Sequence, residues 1–155
     1  MTLKVGIIGA GAIAGDHCSS ISKYAGAEAV AVADLSPKRR NEVKKAWGMG
    51  KAYATWEALV ADPEIDAVTI ALPNALHAPC ALAAIKAGKH VMLDKPFAMN
   101  YAEAKLCADA SRRKKRVLMV GMNQRYSNEA QTLRAIVERG DLGDVYHTKA
   151  YWYRR

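Results

Sequence analysis

The sequence predicts an α/β fold, a doubly wound parallel sheet of the Rossmann dinucleotide-binding type. Three observations carry this. Short apolar runs alternate with helix-patterned stretches along the whole chain, the pattern of parallel strands joined by right-handed helical crossovers. A glycine-rich turn, Gly9-Ala10-Gly11-Ala12-Ile13-Ala14, separates the first run from the first helix. An acidic residue, Asp34, closes the second run.

The bulk numbers narrow the class. The chain has 155 residues, 51% of them apolar, enough for one domain with a core of its own. No apolar run reaches the ~18–20 residues of a membrane-spanning helix. The first residues enter a strand directly, so the reading expects no leader peptide, no membrane partner and a cytoplasmic setting. Cys18, Cys80 and Cys107 are scattered. They form neither a disulfide framework nor a metal-ligand spacing, which fits idle thiols in a reducing compartment. The formal net charge is +8, with much of it in residues 112–116 and at Arg154-Arg155. The first run falls where a helix ends and a strand begins, where the helix dipole and solvation favour basic residues. It has no aromatic neighbours for stacking on bases, so no nucleic-acid partner is expected.

The first strand is the run 5–8, and the first helix is expected from about Gly11 to Ser22 with Ile13, Cys18 and Ile21 toward the sheet. Gly9 permits the sharp turn out of the strand, and Gly11 leaves room for a pyrophosphate against the backbone. Ala14 lets the helix pack close. Gly9, Gly11, Ala12 and Ile13 are therefore the candidate phosphate cradle, at the positive end of a helix. His17 either lines that groove or is an ordinary helix histidine without a partner. The second strand, 29–33, ends on Asp34, placed to accept hydrogen bonds from the adenosine ribose. The cofactor expected is NAD, with NADP as the alternative. Asp34 would repel a 2′-phosphate, while Lys38, Arg39 and Arg40 soften that preference.

Ser36 caps a helix and Pro37 suits its first position. This helix runs to about Trp47. A short strand follows at 51–54, and Thr55 caps a helix from Trp56 to about Ala61. The run 67–72 is apolar throughout, as a strand covered on both faces should be. It gives way to the polar stretch Leu72-Pro73-Asn74 and His77. A helix with Pro79 in its first turn ends near Gly88. Strand 90–93 ends in Asp94-Lys95-Pro96, with the Lys95–Pro96 bond a candidate cis peptide. Asn100 and Glu103 form a capping box for a helix to about Arg113. Strand 117–122 leads to Asn123-Gln124-Arg125, and a last helix runs from about Asn128 to Arg139, before Gly140. In such sheets ligands bind beyond the carboxyl ends of the strands. The singled-out polar residues all fall at such ends.

At Asp94-Lys95-Pro96 the chain resembles the Gfo/Idh/MocA family of NAD(P)-dependent oxidoreductases. The likeness also rests on residues 5–14, Ala33-Asp34, Leu72-Pro73-Asn74 with His77, residues 87–91, Asn123-Gln124-Arg125 and residues 140–145. The family usually has Glu-Lys-Pro; Asp94 here is one methylene shorter. The resemblance implies hydride transfer between NAD(P) and a hydroxyl carbon of a sugar, inositol or related polyol. It implies that Lys95 is catalytic, bonding the substrate hydroxyl. Asn74 and His77 would border the nicotinamide pocket, with Leu72, Pro73, Asp94, Pro96, Asn123 and Arg125 completing the cofactor set. It also implies a homo-oligomer. On this reading residues 1–144 are the cofactor domain, and residues 145–155 begin a second, α/β substrate domain. That domain would supply most of the substrate pocket and the proton-transfer Asp and His. His147 lies on the outgoing strand and is no substitute. The run 145–153 would be a strand with an unpaired edge, open to self-association. Three readings stay open: the cofactor domain of a dehydrogenase, inactive by itself; a stand-alone NAD(P)-binding module; and a nucleic-acid-binding α/β domain.

Overall fold

The computed structural model describes residues 2–151 and 153. It divides into two compact units, Met1–Gly121 and Met122–Arg155.

The first unit holds the sheet. β1 (Leu3–Ile8) leads to α1 (Ala14–Ser22), β2 (Ala27–Ala33) to α2 (Pro37–Ala46), and β3 (Lys51–Tyr53) to α3 (Trp56–Ala61). Then β4 (Ala67–Ile70) leads to α4 (His77–Lys86), β5 (His90–Leu93) to α5 (Tyr101–Lys114), and β6 (Leu118–Val120) closes the unit. All pairings are parallel, in the order β3-β2-β1-β4-β5-β6. The order reverses between β1 and β4, so the connections leave these two strands in opposite directions and open a crevice at their carboxyl ends.

Strand periodicity sorts the side chains. Ile8, Val68, Ile70, Val91 and Leu93 join one cluster, with Leu59, Ile85 and Cys107 from α3, α4 and α5. Val5, Ile7, Val32 and Ala67 join the other, with Ala14 and Cys18 from α1. Successive residues face opposite layers, and both layers are covered, which is why these strands read as unbroken apolar runs. Ile7, Ile8, Ile70 and Leu93 have no exposed surface; burying each contributes about 1.5–3 kcal/mol.

The expected caps are present. The Ser36 hydroxyl accepts from the Arg39 N–H at 3.4 Å, and the Thr55 hydroxyl from the Ala58 N–H at 3.3 Å. Asn100 accepts from the Glu103 N–H at 2.9 Å. Glu103 reaches back one residue beyond the cap, accepting from the Met99 N–H at 3.1 Å. Gly88, past the end of α4, has φ +82, a conformation that favours glycine.

Several boundaries differ from the sequence reading. α1 starts at Ala14 rather than Gly11, because residues 11–13 form a turn. Ile13 therefore lies outside the packed face and is 44% exposed. β4 stops at Ile70, where its partners Ile8 and Leu93 also end. β6 covers Leu118–Val120 only, opposite the last three residues of β5.

The second unit contains a 3-10 turn, Asn123–Tyr126, and α6 (Asn128–Glu138), capped by Ser127 accepting from the Ala130 N–H at 3.2 Å. Gly140 follows at φ +77. The expected strand over residues 145–153 is not formed among the described residues. A strand exists only through bonds to a neighbour, and among the described residues no ladder partner is present for it. Trp152, Arg154 and Arg155 lie outside the described residues.

Candidate functional site

The crevice begins at Gly9. Its φ is +99, and a Cβ there would stand 2.3 Å from the Ala71 carbonyl oxygen. Only glycine lets β1 turn this close to β4. Gly11 differs: a Cβ there would meet nothing within 4 Å. Its missing side chain leaves open space in front of α1.

The amides of this turn have distinct duties. The Gly9 N–H donates to the Ala33 carbonyl at 2.8 Å, and the Ala10 N–H to Asp34 Oδ2 at 2.9 Å. The Ala14 N–H returns to the Gly11 carbonyl at 3.1 Å. Among the described residues, the N–H groups of Gly11, Ala12 and Ile13 have no acceptor, and no side chain caps α1. Three free donors at a helix N-terminus, in open space, form an anion cradle. A pyrophosphate fits it in charge and in room.

Asp34 stands across the turn, half-buried. Its Oδ1 accepts from the Ser36 N–H at 2.7 Å while Oδ2 holds Ala10. Each oxygen keeps a further lone pair for a hydroxyl. The Arg40 guanidinium donates to the Asp34 carbonyl at 3.2 Å. A groove of about 680 Å³ opens here, lined by Asp34, Ser36, Arg39, Trp56, Leu72 and Pro73 among others. Sequence reasoning missed the Thr55–Trp56 wall of this groove. Its only signal was position, at the carboxyl end of a short strand.

On the other side of the crevice, Pro73 and Asn74 are exposed, Asn74 on a 3-10 turn, Asn74–Leu76, that runs into α4. Asp94 follows β5 half-buried, its N–H on the Ile70 carbonyl at 3.0 Å. Lys95 is exposed, and the Lys95–Pro96 peptide is cis.

His77 is a buried residue between two turns of the crevice. The residue expected to border the nicotinamide pocket is 1% exposed. Nδ1 lies 2.6 Å from the Pro96 carbonyl oxygen and Nε2 2.8 Å from that of Leu72. The ring thus joins the turn after β4 to the turn after β5. His17 is buried in α1, and its Nε2 has no partner among the described residues. Asn123 and Arg125 belong to the second unit, exposed on its 3-10 turn.

Elsewhere in the first unit the polar groups are structural. Asp62 accepts from Lys51 at 2.7 Å and from the Tyr53 hydroxyl at 2.6 Å. The Lys51 ammonium, then Tyr53 and the Glu64 N–H, hold its carboxyl well below the usual carboxylate range. Lys89 is buried and donates to the Asp62 and Ile65 carbonyls, both at 2.7 Å; burial lowers its pKa. Burial pushes the Cys80 thiol up to about 12, and Cys18 and Cys107 are buried too. The described residues contain no His, Cys, Asp and Glu group able to hold a metal and no helix long and apolar enough to cross a membrane. Arg112, Arg113 and Lys114 occupy the last turn of α5, where Arg112 pairs with Asp109.

An open parallel sheet with an anion cradle and an acidic residue at its switch point defines a dinucleotide-binding domain. The family model of oxidoreductases with an NAD-binding Rossmann fold, Gfo/Idh/MocA, matches residues 3–122. The chain belongs to this family and carries its NAD-binding Rossmann domain. It is 36% identical over 148 residues to an inositol 2-dehydrogenase of Gluconacetobacter diazotrophicus, covering 94% of this chain and 44% of that protein. To a glucose-6-phosphate 3-dehydrogenase of Bacillus subtilis it is 32% identical over 149 residues, covering 96% and 42%. The fold superposes on scyllo-inositol dehydrogenase from Lactobacillus casei, solved with NAD(H) and scyllo-inositol, with a TM-score of 0.87. The identity there is 25%, covering 93% of this chain and 43% of that one. The chain thus spans less than half the length of these relatives.

Proposed function

We propose that this chain provides the cofactor-holding part of a dehydrogenase that moves a hydride between NAD and a hydroxyl carbon of a sugar, inositol or related polyol. The observation that carries the proposal is the cradle: three unpartnered amides at Gly11, Ala12 and Ile13 facing open space beside the Asp34 carboxylate. The amides bind the pyrophosphate, and Asp34 accepts from the adenosine ribose hydroxyls. That carboxylate disfavours a 2′-phosphate, so NAD is preferred over NADP. Leu72 and Pro73 wall the groove, and Asn74, Asp94 and Pro96 shape its nicotinamide end. When bound, the nicotinamide accepts or donates the hydride. Lys95 acts as the catalytic residue at this end: its ammonium donates to the substrate oxygen at the reacting carbon and polarises it. The relatives' names support the polyol and sugar class of substrate.

We further propose that residues 1–155 alone bind cofactor without measurable turnover. Lys95 and Asn74 form one wall, and positioning a polyol needs an opposing one. Residues 1–144 then form the cofactor domain, and residues 145–155 belong to the next. Exposed Val145, Tyr146, Tyr151 and Tyr153 support self-association, and the three buried free thiols support a cytoplasmic, reducing setting. The test of the assignment is Lys95→Ala in a protein extended to the length of its relatives. Turnover of inositol or a sugar should fall ~100-fold or more with the NADH dissociation constant within about twofold. Unchanged turnover would remove Lys95 from the chemistry.

A further inference from the structure

The groove beside Asp34 has walls that a ribose contact does not explain. Leu35, after β2, is 82% exposed, and Leu76, on the 3-10 turn after β4, is 41% exposed. Both line the groove, together with Trp56, Leu72 and Pro73. Trp56 is half-buried. It packs against the core cluster that holds Leu59 and Ile85, and it still lines the groove. Large apolar side chains left at the mouth of a cavity mark a ligand surface. A polyol or a phosphate gains nothing from such walls. A flat aromatic base does, and a fixed indole offers it a face to stack on. Arg39 lines the same groove from α2, and a guanidinium stacks on a ring as well as pairing with an anion. At about 680 Å³, the groove has room for a base beyond its ribose.

The two ends of the crevice differ in how far they are built in advance. On one side the amides of Gly11, Ala12 and Ile13 are free and fixed by the backbone turn. The Asp34 carboxylate is held at both oxygens, by the Ala10 and Ser36 N–H groups. The core holds Trp56. These groups lose little freedom when a ligand arrives. At the other end Asn74 and Lys95 are exposed, and exposed side chains must be ordered before they hold anything.

We propose that the affinity of this chain for a dinucleotide resides in the ADP half, with Trp56 as the stacking wall for the base, so that the chain binds ADP-bearing nucleotides as a class, with or without a nicotinamide. The identity of the base as adenine rests on the cofactor reading above, in which Asp34 holds the adenosine ribose.

The test is competition against NADH, followed by NADH fluorescence with the wild-type chain. ADP-ribose, which lacks the nicotinamide, should displace NADH with a dissociation constant within about fivefold of that of NADH. Reduced nicotinamide mononucleotide, which lacks the adenosine, should not displace it at a hundredfold higher concentration. Weaker binding of ADP-ribose than this, or displacement by the mononucleotide, overturns the proposal while NADH binding upholds the cofactor reading. A chain that binds neither NADH nor ADP-ribose refutes the cofactor reading itself. For the stacking wall, Trp56→Leu keeps an apolar side chain on the core and loses the flat face. It should weaken NADH and ADP-ribose by the same factor, at least about fivefold. Wild-type affinity for both in the folded variant removes Trp56 from the site. A second measurement leaves Trp56 in place. The sequence has three tryptophans, so Trp47→Phe with Trp152→Phe leaves Trp56 as the one indole. Its emission should be quenched by ADP-ribose along the binding curve, and an emission unchanged at saturation overturns the stacking contact.

Discussion

Replacing Gly9 and Gly11 separately should divide folding from binding. In Gly9→Ala the new methyl falls 2.3 Å from the Ala71 oxygen and 2.9 Å from its carbonyl carbon, with φ at +99. The left-handed backbone costs alanine roughly 1–2 kcal/mol. Moving two adjoining strand ends apart adds roughly 1–3 kcal/mol. A loss near 3 kcal/mol corresponds to about 6–12 °C in a chain of this size. Gly11→Val meets nothing within 4 Å of its Cβ, so its stability should stay within about 0.5 kcal/mol of wild type. Its side chain instead fills the space in front of the free amides of Gly11, Ala12 and Ile13. NADH affinity should then drop at least tenfold, about 1.4 kcal/mol. Thermal unfolding followed by circular dichroism reads the first effect, and NADH fluorescence titration the second. The reasoning fails if Gly9→Ala melts with wild type, or if Gly11→Val binds NADH as wild type does.

Three other outcomes follow from the same geometry. Asp34→Ser removes the anion beside the groove while Arg39 remains on its rim, so the ratio of NADPH to NADH affinity should rise about tenfold or more in paired titrations; an unchanged ratio would remove Asp34 from cofactor selection. Asp62→Asn should destabilise the fold by about 1–2 kcal/mol at neutral pH, through the Lys51 and Tyr53 bonds, with the Lys51 part discounted for exposure. The folded-state pKa of Asp62 is depressed, so its contribution is present above the ordinary carboxylate range and lost as pH falls through and below about 4; urea titrations at several pH values should show the gap closing in acid, and a constant gap would contradict the ion-pair account. Deleting residues 145–155 should leave NADH affinity intact and reduce self-association in sedimentation; a monomer unaffected by the deletion would contradict a role for this segment.

Much of the fold was legible because its signals are local. Ser36, Thr55 and Asn100 could be placed as caps from residue type and spacing, and the order of apolar runs dictated a parallel sheet. The glycines of the turn had a reason on sight: one must bend, the other must be absent from a groove. What was not legible depends on contacts distant in sequence. Ile13 looked like a core residue by helical spacing, but the turn at 11–13 delays the helix and leaves it outside. The pocket role of His77 came from the family resemblance, which carries no information on its burial. Its contact with the Pro96 carbonyl depends on the meeting of β4 and β5, which residue type does not encode. The stretch 145–153 has strand composition, yet composition cannot supply a partner edge. The Asp34–Ala10 link, and the free amides beyond it, follow from backbone geometry that side-chain types do not encode.

Amide shift mapping of the nitrogen-15-labelled chain during an NADH titration tests the central claim most directly. Saturable changes should appear first and largest at Gly11, Ala12 and Ile13, where the donors are free, then at Ser36, Trp56 and Asn74 around the crevice. The basic last turn of α5, at Arg112, Arg113 and Lys114, should stay unmoved. Changes centred on that turn, or none at the glycine turn at saturating NADH, would contradict the assignment of this crevice as the dinucleotide site.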